Sequence, residues 1–148
     1  MSGRICMEAA LALAKEAAEA GEVPVGCVIE RGGVIIGRGR NRREADRNAL
    51  AHAEIEAINE ACRTLGGWRL SGCTLYVTLE PCPMCAGAIV NARIPRVVYG
   101  AKDARAGAMG SVLSVNAYPL NHKAETESGI MEKECAEILR EFFRARRK

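Results

Sequence analysis

Two short segments hold residues able to do chemistry together, His52-Ala53-Glu54 and Pro81-Cys82-Pro83-Met84-Cys85. Taken singly, each is ambiguous. A Cys-x-x-Cys pair also serves as a redox couple, and an isolated histidine near a helix start is more often a cap or a packed residue than a ligand. Taken together, His52, Cys82 and Cys85 supply one nitrogen and two sulfurs. Three such donors suit a catalytic zinc whose fourth tetrahedral position stays open for water, whereas structural zinc sites close all four. Glu54 is then placed to face water rather than metal, where a carboxylate is useful for moving protons. Because bound zinc lowers the pKa of water from about 15.7 to near 7, the chemistry expected of this set is hydrolytic.

These residues need elements that bring them to one point. Side chains of a first helical turn tilt toward the helix N-terminus, so residues two apart can address a site beyond the helix end. A helix is expected over residues 51–64, closed by Gly66-Gly67, with His52 and Glu54 at its start. A second is expected from Pro83, with Cys82 near its N-cap and proline at the first position, where the missing N–H costs nothing. Unpaired amides and the positive dipole end at such a start favour thiolate over thiol. The strand Cys73-Thr-Leu-Tyr-Val-Thr-Leu79 runs directly into this turn, and Pro95-Arg-Val-Val-Tyr-Gly100 follows the helix. A strand–helix–strand crossover of that length predicts parallel pairing.

Upstream, residues 4–20 read as a helix that stops at Gly21. Val25-Gly-Cys-Val-Ile29 and Val34-Ile-Ile-Gly37 flank Gly32-Gly33 and predict an antiparallel hairpin. Residues 38–48 lack an apolar period and predict a loop. Residues 101–122 predict a long loop or short irregular helix, a length usually tied to function. A weak strand near 124–129 and a final helix, with Ile138, Leu139, Phe142 and Phe143 as its apolar stripe, complete the chain.

The bulk properties agree with a single domain over residues 1–148, with 49% hydrophobic and 26% charged residues. Residues 5–14 are interrupted by Glu8 and closed by Lys15 and Glu16, so they are expected to be helix rather than a leader. No apolar run reaches the roughly 20 residues of a membrane span, and a cytoplasmic protein is expected. Seven cysteines in such a chain argue for metal binding and packing rather than disulfides. The net charge of +3 is small but uneven, with five arginines in residues 38–47 and Arg140, Arg144, Arg146, Arg147 and Lys148 at the end. That distribution admits a polyanionic partner.

His-x-Glu followed by Pro-Cys-x-x-Cys is the pattern of the zinc deaminases that act on nucleobases. The flanking segments extend the likeness along nearly the whole chain: Val23-Pro-Val-Gly26, Gly39-Arg-Asn41, Ala51-His-Ala-Glu-Ile55, Thr74 through Ala88, Arg96-Val-Val-Tyr-Gly100, Asp103, Gly107-Ala-Met-Gly-Ser111, Asn121-His122 and Phe142-Phe-Arg144. On these segments the chain resembles the bacterial tRNA-specific adenosine deaminases of the cytidine-deaminase-like superfamily. The resemblance implies a single zinc-dependent deaminase domain with an α/β fold, a three-layer α/β/α arrangement around a central mixed five-stranded sheet, and a homodimer with one Zn2+ per subunit. It implies that wobble adenosine in a tRNA anticodon stem-loop becomes inosine. It places Asn41 on the target base, Ala53 among the substrate contacts, Leu79 in the pocket wall and Asp103 on the neighbouring nucleotide or backbone. Lys102, Arg105, Arg146 and Arg147 match basic RNA-facing positions.

Rival readings remain at this level. A deaminase of free guanine, cytosine or a nucleoside would share the zinc motifs, and only the basic segments favour a polyanion. A thiol–disulfide enzyme would use Cys82 and Cys85 but has no need of His-x-Glu. A non-catalytic zinc or RNA-binding module has no need of Glu54. Cys6, Cys27, Cys62, Cys73 and Cys135 are expected to be buried packing residues. Trp68, Tyr76, Tyr99, Phe142 and Phe143 are expected to pack rather than stack on bases, and His122 is expected on a loop.

Overall fold

A computed structural model describes residues 2–146 of the chain, and Arg147 and Lys148 lie outside the described residues. The elements run α1 (Gly3–Glu19), β1 (Gly26–Arg31), β2 (Val34–Arg40), α2 (Ala53–Leu65), β3 (Cys73–Leu79), α3 (Pro83–Ala92), β4 (Arg96–Ala101), β5 (Glu125–Ser128) and α4 (Glu132–Arg146). A 3₁₀ turn at Val115–Ala117 interrupts the long loop between β4 and β5.

The five strands form one mixed sheet in the order β2-β1-β3-β4-β5. The hairpin partners β1 and β2 are antiparallel, as are β1 and β3. The pairs β3/β4 and β4/β5 are parallel. Because successive strand residues point to opposite faces, the sheet divides its core in two. Cys27, Ile29, Leu75, Val77, Val97 and Tyr99 meet α2 and α3 on one face. Val28, Tyr76 and Val98 meet α1 and α4 on the other. The result is the expected three-layer α/β/α arrangement.

Local chemistry explains the boundaries. Ser2 accepts from the Ile5 amide and caps α1. Gly32 and Gly33 turn the hairpin with φ of 59° and 86°. At Gly39 a Cβ would lie 2.2 Å from the Ala53 carbonyl oxygen, so only glycine lets the first turn of α2 rest directly on β2. That contact places His52 and Glu54.

Three expectations are corrected. Trp68 is 55% exposed rather than packed, because it sits in the turn after α2, with the Arg69 and Arg93 guanidinium groups over its ring at 4.8 Å and 5.6 Å. Phe143 is 45% exposed, because α4 touches the sheet mainly at its start, where Cys135 is its sole fully buried residue. Cys62 is only half-buried, packed at the edge of the core near the end of α2, while Cys6, Cys27, Cys73 and Cys135 are buried as expected. Tyr76 and Tyr99 pack in the two cores.

Candidate active site

His52 and Cys82 are the N-cap residues of α2 and α3, both in extended backbone, and Pro83 opens α3. The two helices therefore present their amide-rich ends to the same point, beside the end of β3. His52 Nδ1 lies 3.7 Å from Cys82 Sγ and 3.5 Å from Cys85 Sγ. The three ligand atoms lie within 4.8 Å of one another, and they form a group that can hold a metal ion. Bond lengths of about 2.0 Å to nitrogen and 2.3 Å to sulfur around a tetrahedral ion require donors roughly 3.5–3.8 Å apart, so both N···S distances fit such an ion.

The electrostatics point the same way. A hydrogen bond from the Cys85 thiol holds the Cys82 thiol down to about 4, against the opposing effect of burial, and His52 and the Cys85 amide add to it. Cys85 is pushed far upward because it keeps the proton it shares with Cys82 and is buried. The hydrogen bond to Cys82 raises His52, with burial opposing. Two sulfurs this close hold only one negative charge between them, and a cation is what allows both to ionise.

Glu54 is 4% exposed and lines the pocket with His52 and Cys82. Burial raises its carboxyl to about 7, with the nearby Cys82 charge adding to the rise; its own backbone amide, His52 and Cys85 act against it. A carboxylate poised near neutrality can both take and give a proton at working pH.

The pocket, about 170 Å³, also brings together Asn41, Ala53, Leu79 and Asp103. Asn41 is buried, donates to the Val23 carbonyl at 3.3 Å and accepts from the Arg43 amide at 3.1 Å. Lys102, Arg105 and Arg146 are not in this pocket. They line an adjoining groove with Val23, Leu79, Asp103 and Phe143. Arg146 donates to the Gly21 carbonyl at 2.8 Å and lies 4.5 Å above the Phe142 ring. Arg147 lies outside the described residues. His122 is half-buried and donates through Nε2 to the Ile94 carbonyl at 2.7 Å.

Sequence reasoning passed over Val25, Arg43, Glu80 and Ala106, which also line the pocket. It passed over Glu22 as well, 1% exposed and accepting from the Glu44 and Ala45 amides. For Glu80 a signal existed, since a carboxylate directly before Pro81-Cys82 had no partner in the sequence. Burial opposes the charge of Glu80, but the Ser111 hydroxyl and the amides of Asp103, Ser111 and Met109 outweigh it and hold its carboxyl below the usual range.

Comparison with known proteins decides the family. The family model of the MafB19-like deaminases matches residues 1–147. A tRNA-specific adenosine deaminase of Bacillus subtilis (strain 168) is 50% identical over 143 residues, 96% of this chain and 89% of that protein. The chain belongs to the tRNA-specific adenosine deaminase family. A solved structure from studies of A-to-I editing by tRNA:A34 deaminases at the wobble position of transfer RNA superposes with a TM-score of 0.89 and 47% identity, over 91% of this chain and 99% of that one. A guanine deaminase from Bacillus subtilis gives a TM-score of 0.66 and 33% identity, over 82% and 88%. The cytidine-deaminase-like fold and the deaminase class of the enzyme therefore stand.

Proposed function

We propose that this chain deaminates the wobble adenosine of a tRNA anticodon to inosine, with one Zn2+ per subunit held by His52, Cys82 and Cys85. The observation that carries the reading is a metal-competent triad beside a buried, neutral-poised carboxylate, in a pocket that opens onto a basic groove. Zinc bound to this triad supplies Lewis acidity toward water. Glu54 accepts one proton from the attacking water and delivers it to the ring nitrogen beside the amino-bearing carbon. It then takes the remaining proton of the new hydroxyl and gives it to the amino group, which leaves as ammonia as the C–N bond breaks and the C=O of inosine forms. Its burial keeps these transfers out of bulk solvent.

Asn41 keeps one amide N–H and a free lone pair for the target base. Ala53 and Leu79 form apolar pocket walls, and Asp103 faces the neighbouring nucleotide or backbone. Lys102, Arg105, Arg146 and Arg147 serve phosphates of the anticodon stem-loop, since a polyanion rewards clustered cations. A homodimer is supported by the apolar exposure of Val112, Leu113, Tyr118 and Leu120, on the loop whose 3₁₀ turn packs against the largely apolar α3. Among the described residues no helix is long and apolar enough to cross a membrane. We place the enzyme in the cytoplasm with its tRNA substrate.

Incubating pure protein with total tRNA, and separately with free adenosine, guanine and cytosine, tests the reading. Inosine in tRNA is the expected product. Ammonia released from guanine or cytosine, with tRNA unchanged, would overturn it in favour of free-base deamination.

A further inference from the structure

Glu80 is 2% exposed, and its carboxylate is fully engaged by donors from one distant loop. Oε1 accepts from the Asp103 amide at 3.1 Å and from the Ser111 hydroxyl. Oε2 accepts from the Met109 amide at 3.0 Å and the Ser111 amide at 3.1 Å. All four donors belong to residues 103–111. The loop wraps the carboxylate so closely that a Cβ on Gly107 would lie 2.4 Å from the Glu80 carboxyl carbon.

Backbone bonds flank the carboxylate, one to the end of β4 and one from the same loop. The Glu80 amide donates to the Ala101 carbonyl, and the Ala108 amide to the Pro81 carbonyl, each at 2.9 Å. Cys82 follows two residues later. Asp103 in turn accepts from the amides of Arg105 and Ala106 through Oδ1, at 2.9 Å and 3.2 Å. Asp103 and Ala106 line the pocket, and Lys102, Asp103 and Arg105 line the groove. The chain of contacts thus runs from the metal-ligand segment through Glu80 to the pocket wall and the basic groove.

We propose that Glu80 is a positioning residue, which holds loop 103–111 against Pro81-Cys82 and so sets how tightly RNA is bound rather than how fast the bound base reacts. The proposal deepens the function above and rests on the reading of Asp103 and Arg105 as RNA-facing. Cys82 and Cys85 sit at the start of α3, and His52 and Glu54 at the start of α2, and none of the four is a hydrogen-bond partner of the Glu80 carboxylate. Losing the brace therefore moves the wall and leaves the reacting groups.

Glu80→Gln preserves size but replaces one acceptor oxygen with an NH₂ that faces amide donors. Ser111→Ala removes a single donor and serves as the milder variant. Both are measured for zinc content, for KM and kcat on an anticodon stem-loop, and for amide hydrogen exchange without RNA. For Glu80→Gln the expected KM rises about tenfold, the size of leaving a buried donor unpaired. Its kcat and its zinc content stay near wild type, and exchange accelerates in residues 103–111 but not in 81–86. Ser111→Ala shifts KM and exchange in the same direction by less.

A fall in kcat or zinc with KM unchanged, or unaltered exchange in 103–111, would overturn the proposal. If Glu80→Gln does not fold, the same two readouts on Ser111→Ala decide it. Exchange needs no substrate, so a wild-type protein that makes no inosine in RNA would sink the proposed function while the loop brace is still judged on its own.

Discussion

The starts of α2 and α3 and the end of α4 handle the same substrate in this reading, yet they are built in opposite ways. Of the 13 residues of α2, Ala53, Glu54, Ala57, Ile58 and Ala61 are buried, and α3 buries five of its 10. In the 15 residues of α4 only Cys135 is buried, and the last two turns carry exposed Phe143, Arg144 and Arg146. Chemistry needs donor atoms held to a few tenths of an ångström, which dense packing supplies. Polyanion binding needs cations within reach of phosphates, and flexible exposed side chains suffice. Damage to the first region should be close to all-or-none, and damage to the second graded.

The largest effect expected is from Cys82→Ala or Cys85→Ala, which should lose the metal and all measurable turnover. Metal analysis of the purified variants alongside the assay checks both, and a fully active metal-free preparation would end the comparison at its root. Glu54→Ala comes next. Turnover should fall by at least the roughly 10² to 10⁴ that general acid–base catalysis contributes, while zinc content and fold persist. Near-normal turnover in that variant would assign the proton transfers elsewhere.

A third test reaches the packed region away from its reacting groups. Gly39→Ala forces a methyl to within 2.2 Å of the Ala53 carbonyl oxygen, whereas Gly67→Ala meets nothing within 4 Å. Overpacking of this kind costs about 1–3 kcal/mol, or roughly 3–10 °C in Tm, with a matching loss of activity as α2 shifts. Calorimetry on the two variants separates them, and equal melting temperatures would show that the contact of α2 with β2 tolerates displacement.

The smallest effect is expected at the basic end. Neutralising Arg144, Arg146, Arg147 and Lys148 should weaken binding of an anticodon stem-loop and leave single-turnover rates at saturating RNA unchanged. Every phosphate that a removed cation had neutralised should flatten the log–log salt dependence of binding by roughly 0.7–0.9. Titrations over a salt series read this directly. An unchanged slope would make the end of α4 a solvated surface and remove the contrast with α2 and α3.

How much of this was legible before folding depends on whether the signal was local. The starts of α2 and α3 and the parallel β3/β4 crossover follow from caps and periodicity that lie within a few positions of one another, and His52, Cys82 and Cys85 stand out as candidate ligands by residue type although 30 positions separate His52 from Cys82. The choice of Nδ1 on His52, facing both thiols, follows only from the angle at which α2 meets α3. The exposure of Trp68 and Phe143 was equally hidden, since apolar side chains state a preference for burial but not whether a neighbour arrives to cover them. Loops 41–47 and 101–122 carry no period at all. Their order comes from buried carboxylates: Glu22 bonds amides 22 and 23 positions away, and Glu80 bonds donors 23 to 31 positions away. The sequence by itself determined which residues carry donors suited to a metal and which carboxylate is suited to moving a proton. Only the tertiary structure decided which loops close around them, because a carboxylate meets distant amides only after the sheet has brought them together.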